Sequence, residues 1–279
     1  MTRDLRVMSW NLYHGRDRPP NVALFTLRSR LFKVTETDAT HVQVNRPLFE
    51  EFATLIVREP WAVCMLQEFP PAWAPALARR CAADHHLVLT SRNQLPWLRR
   101  RLATWTPDLM ASGEGGSNLT LVREPWRISR RGAVLLNPFP RRGLRERRRM
   151  ALTAIVAEAD NVSIANLHAT AGNQSQAEQD VRRGAEAAMG FAVGAPLVFG
   201  GDLNLRPSRS ALFEELEHRF DLAGPTAPDA IDHLLSRGLE VVDPPRRLPP
   251  ERRELPAERG LRLRLSDHSP LEARFRTPL

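Results

Sequence analysis

The chain of 279 residues has few cysteines, one tyrosine, almost no lysine and no long apolar run. Its two cysteines, Cys64 and Cys81, are too few for a disulfide framework, so we expect both to be ordinary buried thiols. No run approaches the ~18 consecutive apolar residues that a membrane span needs. The first residues also lack an apolar stretch of signal-peptide length. The sequence therefore predicts a soluble, cytoplasmic protein without a transmembrane segment.

Arginine supplies almost all of the positive charge. Lys33 is the only lysine, and the formal net charge is +8. Guanidinium groups bind phosphate oxygens in pairs, so this balance favours a polyanionic partner such as nucleic acid or a phospholipid head group. A coding bias that replaces lysine by arginine explains the total equally well. The distribution of the arginines along the chain is more informative than their number, because they concentrate in two segments. These are Arg141, Arg142, Arg145, Arg147, Arg148 and Arg149, and then Arg246, Arg247, Arg252, Arg253, Arg259, Arg262 and Arg264.

Length and patterning predict one large layered domain. With 42% hydrophobic residues the chain can bury a large core, and we predict a single domain over residues 1–279 with an insertion at 18–58. Many short strand-like runs with a few helices between them favour packed sheets over a doubly wound parallel sheet. We therefore predict an α+β fold, a four-layer α/β/β/α sandwich of two packed mixed, mostly antiparallel sheets flanked by helices.

Local patterns predict several helices, mark both ends of one amphipathic helix, and predict two long loops. Ser175 and Glu178 have capping-box spacing at the start of this helix, and Gly190 marks its predicted end. An apolar stripe along the helix should cover a sheet face. Its members are Ala177, Val181, Ala185 and Ala188. Residues 91–116 and 244–261 are polar or rich in proline and arginine, so we predict loops there.

Short polar motifs follow apolar, strand-like runs along most of the chain. They are SWN at 9–11, LQE at 66–68, NLH at 166–168, GDLN at 201–204, IDH at 231–233 and SDH at 266–268. Each motif alone is more typical of a turn or a helix cap than of catalysis. Together they put carboxylates, amides and imidazoles at strand ends, where layered proteins build their sites. The set predicts a metal-assisted hydrolase.

Oxygen ligands for a divalent cation can be assigned from the residues themselves. Glu68 follows a buried strand, where a carboxylate is costly without a partner, so it is the principal candidate ligand. Asn11 offers an amide oxygen and Asp267 a second carboxylate. Mg²⁺ fits because it accepts few protein ligands and keeps several waters, and Mn²⁺ would bind similar oxygen sites.

The motif set resembles that of the endonuclease/exonuclease/phosphatase superfamily, which includes pancreatic-type deoxyribonucleases, AP endonucleases, sphingomyelinases and inositol polyphosphate phosphatases. The resemblance extends from Val7 to Phe275 as islands of motif between poorly matching loops. It implies two packed mixed sheets with helices on the outside, which agrees with the fold predicted from patterning. It also implies hydrolysis of phosphate esters with a divalent cation.

The resemblance implies roles for five catalytic residues. Asp202 would position or deprotonate the attacking water, and Asn204 would help to hold the phosphate or that water. His268 would contact the scissile phosphate, with Asp232 orienting its imidazole. His168 matches the histidine of the family's N-T-H-L motif and would donate to a phosphate oxygen.

Two further phosphate contacts are implied, and one departure limits the assignment. Asn118 lies where the family often has a glycine-asparagine strand entry facing the phosphate, and one arginine among 147–149, for which we take Arg149, should reach it. The family's AP endonucleases and pancreatic-type deoxyribonucleases carry a tyrosine in the site. The only tyrosine here, Tyr13, follows Asn11 by two residues and is not an obvious equivalent, which argues against a strict AP-endonuclease assignment.

We predict a magnesium-dependent phosphodiesterase that acts on nucleic acid as an endonuclease or exonuclease. An alternative is a phosphatase or phosphodiesterase for a phospholipid or phosphoinositide, which Trp97, Leu98 and Trp105 in the predicted 91–116 loop would favour. Another is a relative that binds nucleic acid without catalysing a reaction.

Overall fold

A computed structural model describes residues 3–90, 101, 105, 107–110, 116–136, 149–224 and 226–278. The strands are β1 Asp4–Asn11, β2 Glu36–Thr37, β3 His41–Gln43, β4 Val63–Gln67, β5 Ala83–Leu89, β6 Ser117–Arg123, β7 Arg127–Leu135, β8 Arg149–Ala157, β9 Asp160–His168, β10 Leu197–Asp202, β11 Asp232–Arg237, β12 Glu240–Arg247, β13 Glu254–Pro256, β14 Arg262–Arg264 and β15 Leu271–Arg276. The α-helices are α1 Leu27–Phe32, α2 Phe49–Arg58, α3 Ala74–Arg80, α4 Pro107–Met110, α5 Gln174–Ala192 and α6 Leu212–Phe220.

Two sheets form the centre of the fold. The first has the order β12-β15-β1-β4-β6-β5 and the second β11-β10-β9-β8-β7. Pairing is antiparallel except between β1 and β4 in the first sheet and between β9 and β10 in the second. Apolar side chains of the two inner faces, such as Val7, Met65, Ile164 and Val198, pack into one buried cluster. Burial on both faces explains why these strands are almost continuously apolar.

Helices cover the outer faces of both sheets. α2 and α3 pack on the first sheet, where the Trp10 and Phe52 rings lie 5.2 Å apart. α5 and α6 pack on the second, and the predicted stripe of α5 is fully buried against it. The predicted α+β sandwich of two mixed, mostly antiparallel sheets flanked by helices is therefore confirmed.

The ends of α5 differ from the prediction. Asn173, not Ser175, is the N-cap, because the Asn173 side chain accepts a hydrogen bond from the Gln176 amide at 3.1 Å. An asparagine two residues earlier thus fills the capping role. The helix also continues through Gly190 to Ala192, which is buried, and closes at Val193 in the left-handed conformation with φ of 49°.

The prediction of a loop over residues 244–261 was wrong in part, because this segment contains strand structure. β12 extends to Arg247 as the edge strand beside β15, with register shifts on either side of Asp243. An edge position tolerates Pro244 and Pro245, which cannot donate to a sheet ladder. β13 follows and pairs with β14.

Residues 18–58 and 244–264 together build a small third sheet, which we call the accessory sheet. Its order is β13-β14-β3-β2, and β3 pairs in parallel with β14 at Val42 and Leu263. Both of these side chains are buried in the cluster beneath α2. Two segments remote in the chain thus stabilise each other, which local sequence patterns could not reveal.

A buried polar cluster, here named the Asp17 cluster, joins the accessory sheet to the rest of the fold. Its members are Asp17, Ser29, Gln43, Asn45 and Asp108. Asp17 accepts a hydrogen bond from the Val44 amide at 3.0 Å, and Gln43 Nε2 donates to Asp108 Oδ2 at 2.7 Å. Burial, reinforced by the charge of Asp108 and only partly offset by the Val44 amide, raises the pKa of Asp17 to about 8.

Several sequence predictions fall outside the described residues. They concern most of the 91–116 segment, including Trp97 and Leu98, and Arg141, Arg142, Arg145, Arg147 and Arg148. Among the helices within the described ranges, none is long and apolar enough to cross a membrane.

Candidate active site

Strand register brings the predicted residues to one end of the two sheets. His168 and Asp202 are paired positions at the ends of parallel strands β9 and β10. Asp232 begins antiparallel strand β11 and is the register partner of Asp202. In the facing sheet, Asn11 ends β1, and Glu68 directly follows β4, which runs parallel to β1. Carboxyl ends of parallel neighbours meet at one edge, so these side chains converge.

His268 forms a pair with Asp232. The His268 Nδ1 atom lies 2.9 Å from Asp232 Oδ2 and 3.1 Å from Asp232 Oδ1, and its Nε2 atom lies 3.8 Å from Asp202 Oδ2. Burial disfavours the charged imidazole, but the hydrogen bond and charge of Asp232, with the charge of Asp202, outweigh it. Together they raise the pKa of His268 to about 10. The imidazole is therefore cationic at neutral pH.

Asp202 is the most deeply buried carboxylate of the site, with 3% of its side chain exposed. Asn11 Nδ2 donates to its Oδ2 atom at 2.9 Å, and His168 Nε2 lies 3.6 Å from the same oxygen. Burial, together with repulsion from Asp232 that His268 only partly offsets, raises the pKa of Asp202 to about 7. Such a carboxylate can exchange a proton near neutral pH.

Glu68 lies between two histidines. His14 Nε2 is 3.2 Å from its Oε2 atom, and His168 Nε2 is 3.7 Å from its Oε1 atom. Burial opposes ionisation, but the charges of His14, His168 and then His268 outweigh it and lower the pKa of Glu68. This carboxylate is ionised at neutral pH.

The donor set fits a divalent cation. Ligand atoms of Asp202, Asp232 and His268 all lie within 4.8 Å of one another, and the predicted ligands Glu68 and Asp267 are not part of this compact group. Because His268 is cationic, only the carboxylates of the group are available to a cation. In the described part of the chain, the carboxylates of Glu68, Asp202 and Asp232 form ion pairs only with imidazoles. The His168 Nε2 atom lies between two of them, 3.7 Å from Glu68 Oε1 and 3.6 Å from Asp202 Oδ2. Carboxylates gathered without an arginine or lysine partner are stabilised by a hard cation. Asp267 lies at the rim, with 39% of its side chain exposed and Oδ1 3.9 Å from His268 Nε2.

The asparagines are engaged within the protein. Asn11 Oδ1 accepts a hydrogen bond from the Tyr13 amide, so its amide nitrogen faces the carboxylates. Asn204 adopts a left-handed conformation beside Asp202, and its Nδ2 donates to the Ala169 carbonyl at 3.1 Å. Asn118 is fully buried and donates to the Arg149 and Asn166 carbonyls. Arg149 itself begins β8 and is partly exposed.

His14 is a candidate residue that the motif analysis missed. Glu68, Tyr13 and His14 all have positive φ, at 45°, 51° and 54°. The His14 amide donates to the Glu68 carbonyl at 3.1 Å, which ties the two strand exits together. Strained backbone held by surrounding contacts is typical of functional sites. The only sequence signal for His14 is its position directly before Gly15 and shortly after the end of β1.

A buried amide network joins the two sheets directly beneath the site, and its residues belong to the SWN, LQE and NLH motifs, although the sequence assigned them no role. Gln67 Nε2 donates to Asn166 Oδ1 at 2.8 Å and to Ser9 Oγ at 3.1 Å. Close approach of the strands requires glycine here, because a Cβ on Gly201 would lie 2.1 Å from the Leu167 carbonyl oxygen. The φ of 123° at Gly201 also excludes most other residues. The network links β1, β4 and β9, the strands that lead to Asn11, Glu68 and His168.

Comparisons with solved structures give the same fold. A protein of the endonuclease/exonuclease/phosphatase family from Bacteroides thetaiotaomicron is 13% identical, with a TM-score of 0.65 and all of both chains covered. A mannosyl-6-phosphatase from Bacteroides thetaiotaomicron VPI-5482 is 12% identical, with a TM-score of 0.61, 97% of this chain and 99% of that chain covered. The human Nocturnin catalytic domain with bound sulfate is 14% identical, with a TM-score of 0.58, 98% of this chain and 94% of that chain covered.

Sequence comparisons identify the family. No curated protein matches this sequence. The profile described as Endonuclease/Exonuclease/phosphatase family matches residues 8–268, which include every motif from Asn11 to His268. The chain belongs to the Endonuclease/Exonuclease/phosphatase family, whose members hydrolyse phosphate esters with a divalent metal.

Proposed function

We propose that this protein is a divalent-metal-dependent phosphodiesterase that cleaves nucleic acid. The observation that carries the proposal is the meeting of Asp202, the His268–Asp232 pair and Glu68 in one cluster. Phosphodiester hydrolysis needs a base for the attacking water and positive charge near the phosphate oxygens. The cluster offers both at distances below 4 Å between neighbouring side chains.

The protein's own residues divide these tasks. Asp202, with a pKa of about 7, orients and deprotonates the water. His268, held cationic by Asp232, donates to a phosphate oxygen from its Nε2 atom. His168 Nε2 lies beside Asp202 and Glu68 and donates to another. Asn204 is assigned to help hold the phosphate or that water, and Asn118 and Arg149 are assigned as further phosphate contacts.

Glu68 would hold the divalent cation, with Asn11 and Asp267 as further ligands. Mg²⁺ is the proposed ion and Mn²⁺ a second candidate, because the ligands are carboxylate and amide oxygens. The bound ion supplies Lewis-acid stabilisation of charge on the phosphate oxygens. Asn11 must turn its amide to present oxygen to the cation, because its nitrogen faces Asp202 here.

Hydrolysis of a substrate panel tests this proposal. Purified protein is assayed with bis-p-nitrophenyl phosphate, p-nitrophenyl phosphate, plasmid DNA, oligonucleotides, sphingomyelin and inositol phosphates. We expect cleavage of bis-p-nitrophenyl phosphate and of at least one nucleic acid with Mg²⁺ or Mn²⁺, and none after addition of EDTA. Activity that persists in EDTA, or that is confined to p-nitrophenyl phosphate, would contradict the proposal.

A second candidate function is hydrolysis of a phosphoester at an anionic lipid surface. α1 carries large apolar side chains in contact with solvent, and Leu27 is 74% and Phe32 75% exposed. Arg28 and Arg30 on the same helix are also exposed, and Lys33 lies over the exposed Trp105 ring. Apolar side chains interleaved with cations are typical of segments that lie on anionic membranes. Co-sedimentation with phosphatidylserine vesicles, compared with phosphatidylcholine vesicles and with a Leu27→Glu/Phe32→Glu variant, tests this candidate.

A further inference from the structure

A cavity beside the catalytic cluster has a wall rich in arginine. It has a volume of about 1110 Å³, and Asp232, Asp267 and His268 line it. Four arginines also contribute to the lining, namely Arg206 after β10, Arg246 and Arg247 at the end of β12, and Arg253 just before β13. The volume exceeds the ~300–1,000 Å³ of typical small-molecule sites. A single phosphate bound at His268 would fill only a small part of this cavity.

The arginines differ in whether their charge is compensated. Arg246 forms an ion pair with Glu272. Arg206 and Arg247 are exposed, and neither forms an ion pair with any residue in the described ranges. Arg253 is buried and donates to the backbone carbonyls of Leu265 and Ser266, which places it under the SDH segment.

Like charges are close together in this wall. Burial, followed by repulsion from Arg264 and from Arg247, lowers the pKa of Arg253 to about 10, although Asp267 opposes the change. The carboxylate of Asp229, which also lines the cavity, accepts a hydrogen bond from Ser208 Oγ at 2.9 Å. Positive charge therefore remains in excess, and such a wall attracts anions.

We propose that this arginine groove, formed by Arg206, Arg247 and Arg253, binds the phosphate group that flanks the scissile phosphate in a nucleic-acid strand. The inference rests on the proposed phosphodiesterase function. Exposed guanidinium groups can bind a phosphate bidentately, and the groove begins at His268, where the scissile phosphate is bound. Arg206 and Arg247 supply the direct contacts, while Arg253 positions the SDH segment.

Substrates with and without a flanking phosphate test the proposal. The values of kcat/KM are measured for a thymidylate oligonucleotide and for bis-p-nitrophenyl phosphate with wild-type protein and with Arg206→Ala, Arg247→Ala and the double variant. We expect the ratio of the two values to fall about tenfold for each single variant, mainly through KM. The slope of log kcat/KM against log salt concentration for the oligonucleotide should become shallower by about one for each arginine.

Arg79→Ala is the matched control, because Arg79 is an exposed arginine on α3, remote from the groove, and its loss changes net charge equally. The control should leave the ratio unchanged. A ratio that falls equally in Arg79→Ala, or that stays unchanged in the double variant, overturns the groove assignment.

Binding separates failure of the inference from failure of the proposed function. Fluorescence anisotropy with a labelled thymidylate oligonucleotide, in EDTA to prevent turnover, should show about tenfold weaker binding for each groove variant and no change for Arg79→Ala. Weaker binding by the groove variants in a protein that cleaves no substrate would support the groove and contradict the phosphodiesterase. Cleavage of the oligonucleotide together with unchanged binding by both groove variants would support the phosphodiesterase and contradict the groove.

Discussion

The two acidic clusters of this molecule contain similar residue types and differ in what surrounds them. At the ends of the main sheets, Asp202 and Asp232 contact imidazoles, and the cluster adjoins a cavity. Beneath the accessory sheet, Asp17 and Asp108 contact backbone amides and Gln43 instead. Burial raises the pKa of a carboxylate in both places. Burial alone therefore does not distinguish the two clusters, whereas the imidazole partners and the adjoining cavity do.

The largest expected effect concerns Asp202. Asp202→Asn removes the proposed base, so kcat on bis-p-nitrophenyl phosphate should fall about 10²- to 10⁴-fold. The melting temperature should stay the same or rise, because the buried carboxylate is repelled by Asp232. Steady-state kinetics and thermal melts of the same preparation give both values. A kcat within threefold of wild type would remove Asp202 from the mechanism.

Asp17→Asn should show the opposite behaviour, with a change in stability and an unchanged kcat. The pKa of Asp17 is about 8 in the folded chain and near 4 when unfolded, so the folded state binds the proton more tightly. Stability therefore falls as pH rises from 4 to 8 and is constant above that range. Asparagine cannot ionise, so the variant escapes this loss.

The measurement for Asp17→Asn is the difference in unfolding free energy from wild type at two pH values. The advantage of the variant should grow by about 4 kcal/mol at most between pH 5 and pH 8.5. Urea melts at both pH values provide this difference. Asp38→Asn is the control, because the His41 and Thr40 amides lower the pKa of Asp38 to about 2 and it stays ionised across this pH range. A constant difference across this range would show that Asp17 is ionised in the folded protein.

The convergence of several candidate site residues could be predicted from sequence, because it depends on strand ends, whereas their catalytic roles stay predictions. Glu68 directly follows the apolar strand β4 and Asp202 ends the apolar strand β10, so strand geometry brings both to one edge, whereas His268 lies in the short connection between β14 and β15. His14 could not be predicted in the same way, because its approach to Glu68 depends on positive φ at both residues. Local sequence carries little information on such strained conformations when the residues are not glycine.

The accessory sheet was beyond the reach of sequence patterns for a different reason. β3 and β14 are three residues each and pair across more than two hundred positions. Short strands have too little periodicity to predict, and their burial comes from α2 and from each other. Asp17 was likewise not identifiable as buried, because the Val44 amide from which it accepts a hydrogen bond is 27 positions away in the sequence.

A smaller effect is expected at Asp232, which acts through His268. Asp232→Asn removes the charge and the acceptor that raise the pKa of His268 to about 10, so this pKa should fall toward the ordinary value of about 6.5. Loss of the oriented, charged imidazole should lower kcat about 10²-fold at pH 8. An NMR titration of the His268 ring reports the pKa directly. An unchanged pKa together with a lower kcat would indicate that Asp232 has another role.

The smallest expected effect concerns His14. Its imidazole contacts Glu68 at 3.2 Å and holds that carboxylate toward the cluster, so His14→Ala should weaken Mn²⁺ binding about tenfold. His14→Gln keeps a donor near the same carboxylate and should restore part of the affinity. Isothermal titration of Mn²⁺ measures binding without turnover, and His218→Ala on α6 serves as an exposed histidine control. Equal affinity in the wild type and both His14 variants would mean that the strained turn holds the backbone of Glu68 and not its carboxylate.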